Sequence, residues 1–174
     1  MSIFDWLSRS GGTAGATAGV ESSAVTDIVD RLGSLDPERD RWIADFAMVM
    51  ARAARADFEI SGPEFEVMER AVMDFGKLEP EVATLVAEMA AHRNQMLGAS
   101  EDYLATREFK KISTDAEREA LLHSLFAVSA ADDSISLVEE EEIRQTASEL
   151  GIEHRQFTEI RARFRDQREV LRGR

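Results

Sequence analysis

From Val20 onward, apolar residues recur at three- and four-residue spacings almost throughout, the period of an amphipathic helix. Val25, Ile28, Val29 and Leu32 share one face, and Gly33 stops that short segment. Pro37 opens a second segment, with Trp42, Ile43, Phe46, Ala47, Met50, Ala53 and Ala54 on one stripe. Ser61 to Phe75 makes a third, with Gly76 as its expected C′ glycine. Pro80 starts a fourth, carrying Val82, Leu85, Val86 and Met89 toward Gly98. A shorter piece holds Tyr103, Leu104 and Phe109. Thr114 and Glu117 form a capping box ahead of Leu121, Leu122, Leu125, Phe126 and Val128. Ser136–Leu150 and a last helix from Glu153 to about Arg172 complete the pattern. No segment sustains alternation of period two, so a sheet is not expected. The prediction is an all-α fold of about seven to eight helices.

The chain also repeats itself at an offset of 75 residues. Ala56, Asp57, Ile60, Ser61, Glu64, Glu66 and Gly76 return as Ala131, Asp132, Ile135, Ser136, Glu139, Glu141 and Gly151. Apolar positions coincide as well: Phe46 with Leu121, Met50 with Leu125, Met68 with Ile143, Phe75 with Leu150, and Leu85 with Ile160. Each unit therefore reads as helix, acidic turn, helix, glycine stop, helix, over about 37–98 and 114–172. Two such units are expected to pack about a pseudo-two-fold axis as one bundle domain spanning 21–174.

Two readings of the repeated turn stay open. In the first, Ser61 with Glu64 and Ser136 with Glu139 are capping boxes. Ile60 would then staple onto Phe65, whereas Ile135 would meet Glu140, where no staple forms. In the second, Asp57, Glu64, Asp132, Asp133 and Glu139 hold a divalent cation, the one cofactor the chain suggests. Asp57 and Glu64 have the spacing of positions five and twelve of an EF-hand loop. Positions one and three would be Ala53 and Arg55, which offer no side-chain carboxylate, so a standard EF-hand is excluded. The run Glu139–Glu142 opens a helix, where the dipole favours negative charge.

Both ends differ from the middle. In residues 1–9, Ile3, Phe4 and Leu7 fall on one helical face, and residues 10–20 form a linker of Gly, Ala, Thr and Ser up to Val20. The apolar segment either docks on the domain itself or hooks a membrane surface or a partner. It lacks the long apolar core and basic start of a signal peptide. Residues 161–174 hold six arginines against Asp166 and Glu169. They favour the negative end of their own helix or dock on an acidic surface.

The chain has 174 residues and a net charge of −13. Because the last fourteen residues are +4, the rest carries −17. Such acidity repels phosphate backbones, so nucleic acid is not an expected partner. Cysteine is absent, which removes thiolate chemistry and suits a reducing compartment. The histidines, His92, His123 and His154, lie on separate segments, with no zinc-type pairing. No catalytic set, phosphate loop or nucleophile elbow is legible.

The stretch Leu125-Phe126-Ala127-Val128-Ser129-Ala130-Ala131-Asp132-Asp133-Ser134-Ile135-Ser136, with Glu139 and Leu150-Gly151-Ile152, resembles the TerB-like tellurite-resistance family, in its longer bacterial branch. Met50 to Glu64 is similar to that family's first half, and the resemblance covers roughly 37–165. It implies an all-α, cytoplasmic, stress-response protein with an acidic patch. It also implies protein partners among membrane-associated or calcium-binding stress proteins. The family's Asp-Gly turn is replaced by Asp57-Phe58 in one unit and Asp132-Asp133 in the other. If that position requires positive φ, Asp tolerates it better than Phe. The expected function is a non-catalytic interaction or scaffold module whose acidic patch binds a basic partner or a divalent cation. The alternatives are a metal-dependent enzyme and a peripheral membrane adaptor using residues 1–9.

Overall fold

The computed structural model describes residues 23–33, 36–54, 60–97, 99–131 and 133–168. These hold eight α-helices: α1 (Ser23–Leu32), α2 (Pro37–Ala54), α3 (Gly62–Gly76), α4 (Pro80–Leu97), α5 (Ala99–Ile112), α6 (Asp115–Ser129), α7 (Leu137–Leu150) and α8 (His154–Ala162). A 3₁₀ turn, Arg165–Gln167, follows. The described residues form no strand, only a parallel bridge between Ile135 and Arg168. The all-α expectation holds. The expectations for residues 1–9 and 10–20 lie outside the described residues.

Helix α2 is the axis of the bundle. From Trp42 to Ala53, no residue is more than 7% exposed. The predicted stripe is thus buried on every side rather than one. The reason is neighbours: α1, α3, α4, α5, α6 and α7 all touch α2. Ala44, Ala47, Ala51 and Ala53 keep its girth small enough for them to approach.

The contacts follow the repeat. α2 packs on α3 as α6 packs on α7, and α2 touches α7 as α6 touches α3. Exchange of the two units about a two-fold axis maps these pairs onto each other. Phe46 and Leu121, Met50 and Leu125, and Met68 and Ile143 are buried in both units. Two other pairs break the symmetry: Phe75 is 39% exposed against 0% for Leu150, and Leu85 is 42% exposed against 8% for Ile160. On α4 the buried face is Ala83, Val86, Ala87 and Ala90, which turns Val82 and Leu85 outward. Small side chains again decide the face, because they let α4 come close to α2.

All three predicted caps form. The side chains of Ser61, Thr114 and Ser136 accept from the amides of Glu64, Glu117 and Glu139 at 3.2–3.3 Å. Each glutamate in turn accepts from its cap residue's amide at 2.7–2.8 Å. Ser136→Ala is expected to cost about 1 kcal/mol. Thermal unfolding followed by circular dichroism checks this, and a melting point equal to the parent would refute the cap's contribution.

The helix stops differ from the expectation at one position. Gly151 adopts φ 79°, as a left-handed C-cap should. Gly76, its counterpart, is still helical, and Lys77 takes the left-handed turn with φ 54°. A Cβ at Gly76 would sit 3.1 Å from Leu78 Cγ, a tight contact that the Leu78 side chain would have to yield to. Between α5 and α6, Arg118 donates to the carbonyls of Lys110 and Ser113 at 2.8 and 2.7 Å. These are end carbonyls that no helix amide reaches.

The last helix is shorter than expected. α8 ends at Ala162 rather than near Arg172. Phe164 turns inward and stacks on Phe126, with ring centroids 5.4 Å apart. Burying this ring stops the helix, and the chain then runs back along α7.

Candidate functional site

The two acidic turns come first, because the sequence duplicates them. In the second unit, Asp133 takes φ 70°, a conformation that Asp tolerates, and donates its amide to the Ala130 carbonyl at 3.0 Å. Ile135 is buried, and Ser136 begins the cap of α7. In the first unit, Ile60 and Phe65 both pack against the core, as a staple requires.

The predicted ligand set is divided. Asp57 and Asp132 lie outside the described residues. Glu64 and Glu139 are each 5% exposed, and each commits an oxygen to its cap. Asp133 is exposed. Among the described residues, no three histidine, aspartate or glutamate side chains gather as a metal group.

The acidic run of α7 proves to be a set of arginine partners. Glu140 accepts from Arg168 Nε at 2.7 Å and Nη2 at 2.6 Å, and from Arg161 Nη1 at 3.3 Å. Glu141 pairs with Arg144, whose hydrogen bonds hold the Glu141 carboxyl below the usual carboxylate range. Glu142 pairs with Arg52. Glu139 serves the cap of its own helix. In the basic C-terminal stretch, Arg161 lies in the last turn of α8, where positive charge suits the helix dipole, and it and Arg168 both reach Glu140.

Arg52 ties α2 to α5 and α7. Its guanidinium is 6% exposed and donates to Glu142, to Glu149 at 2.5 and 3.2 Å, and to Thr106 Oγ1 at 3.1 Å. Burial opposes the charge on Arg52, but the two carboxylates outweigh it and keep the guanidinium protonated. For Glu149, burial also opposes the charged form. Hydrogen bonds from Arg52 and Gln145 overcome it and hold this carboxyl below its ordinary 4.5. Sequence reading missed this cluster. The available signal was a lone arginine inside the apolar run Phe46–Ala54, where the second unit has Ala127.

A groove of about 460 Å³ lies between α3, α6 and the end of α8. Val67, Ala71, Phe75, Ala120 and Ile160 give it apolar walls, and His123, Glu119 and Arg163 give it polar ones. His123 meets the edge of Phe164 at 5.1 Å. Burial, with help from the charge of Arg163, lowers its pKa from the ordinary histidine value and favours the neutral imidazole.

A model of the family described as tellurite resistance protein TerB matches residues 44–162, more than half of the chain. The chain belongs to the TerB family. None of the curated proteins and none of the solved structures matches it significantly. The TerB match takes in most of both units, both turns and the Arg52 cluster, and it ends on the last residue of α8. Phe164 and Arg168 lie beyond the matched TerB region. Among the described residues, no helix is long and apolar enough to cross a membrane.

Proposed function

We propose that this TerB-family chain is a non-catalytic interaction module of a tellurite-resistance-like stress response. In this reading, its acidic second turn takes a basic segment of a protein partner. One observation carries it: Glu140 grips Arg168, itself extended in its backbone, with both carboxylate oxygens. Paired bonds of this kind recognise guanidinium by shape as well as charge. The −13 charge of the chain draws basic partners in from a distance, and salt screens that attraction.

Backbone NMR of the full chain, titrated with a short arginine-rich peptide, tests the reading. Shifts are expected around residues 133–142, fading as ionic strength rises from about 0.05 to 0.5 M. Separate titrations with calcium, magnesium, manganese and zinc probe the cation alternative. Shifts with a metal but none with the peptide would replace the basic partner with an ion. Silence in every titration would overturn both.

A further inference from the structure

The two units close their turns by different means. In the first, Ile60 has Phe65 to staple onto. In the second, Glu140 stands where Phe65 would be, yet Ile135 is only 1% exposed. The segment after α8 reaches this turn. After the 3₁₀ turn, Arg168 forms a parallel bridge with Ile135 and sends its guanidinium onto Glu140. The side chains of Arg168 and Glu140 keep only 13% and 15% of their exposure. A backbone pairing plus one side-chain anchor is how an extended peptide is recognised along an open edge.

We infer that the second acidic turn is a docking site for an extended, arginine-bearing segment, and that residues 165–168 of this chain are its tethered competitor. The inference rests on the reading proposed above and adds to it the form of the partner and a means of regulation. Three further observations support it. The strap lies beyond the TerB-matched residues 44–162. The bond that ends its 3₁₀ turn, Arg168 N to Arg165 O, is long at 3.4 Å. Beside the anchored arginine, Leu137 and Val138 stay 62% and 58% exposed. A partner segment with apolar residues next to its arginine would cover both. That added burial would let it displace the strap. The partner chemistry is therefore an extended basic segment with apolar neighbours.

Fluorescence anisotropy with a labelled synthetic peptide of residues 165–174 tests the competition on the full-length chain. Arg168→Ala opens the site, and Arg168→Lys keeps the charge while losing the two-pronged grip. If the strap occupies the turn at least nine-tenths of the time, Arg168→Ala binds the peptide about tenfold more tightly than the parent. Arg168→Lys is expected to fall between them, and adding Glu140→Gln to Arg168→Ala should abolish the gain. Circular dichroism confirms that each variant keeps its helices. Equal binding to the parent and to both Arg168 variants would overturn the competition while leaving the basic-segment reading intact. No binding to either Arg168 variant would overturn both.

Discussion

Arg52→Ala is expected to destabilise the fold by about 3 kcal/mol, the lower end of the usual cost of breaking a buried ion pair. The variant leaves Glu142 and Glu149 facing a site built for a guanidinium, and Thr106 without its donor. The lower end applies because the Glu142 and Glu149 side chains keep 29% and 17% exposure and can turn toward water. For a chain of 174 residues this lowers the melting temperature by roughly 6–12 °C. Arg52→Lys should recover part of the loss, since it restores the charge without the fork. A pH profile separates the electrostatic share. Glu149 titrates below 4.5 in the folded state, so its contribution is complete above that value. It is lost as pH falls through the lower folded value. In Arg52→Ala this acid-side loss should shrink, because the hydrogen bond that lowers the pKa is gone. A parent and variant with parallel stability profiles between about pH 3 and 7 would refute the assignment.

The second large effect belongs to Phe126→Ala, expected to cost about 3–5 kcal/mol. Phe126 is fully buried and meets Phe157 and Phe164 at 5.8 and 5.4 Å. Both partners lie in the C-terminal segment, so the cavity also loosens the path that leads to Arg168. Phe164→Ala removes a half-buried ring and should cost less stability while releasing the same segment. Limited trypsin digestion distinguishes the two roles. Cleavage after Arg165 and Arg168 should accelerate in both variants, while the midpoint of chemical denaturation should fall further in Phe126→Ala. Unchanged cleavage in both would show that these rings do not anchor the strap.

Much of this arrangement was legible in the residues. Ser61, Thr114 and Ser136, each with a glutamate three positions on, act locally, and every one forms its box. Asp133 was marked by its departure from Asp-Gly and does adopt positive φ. The misreadings concern packing. Gly76 looked like a left-handed cap but stays helical, and Lys77 takes the left-handed position. Leu85 looked buried because Ile160 is its counterpart, yet alanines set the inner face of α4. The acidic run read as charge suited to a helix start, whereas Glu140, Glu141 and Glu142 each hold an arginine.

What the sequence by itself determined is therefore whatever acts within a few residues: helix period, caps, turn conformation, and the duplication that places two like turns in one family fold. Tertiary structure alone decided which side chains meet across the bundle. Arg52 finds Glu149 ninety-seven positions away, and Arg168 finds Glu140 twenty-eight positions away. No periodicity encodes such pairs. They arise because packing α2 against α5 and α7, and turning the chain at Phe164, brings opposite charges to the same poorly hydrated places, where desolvation makes each partner indispensable to the other.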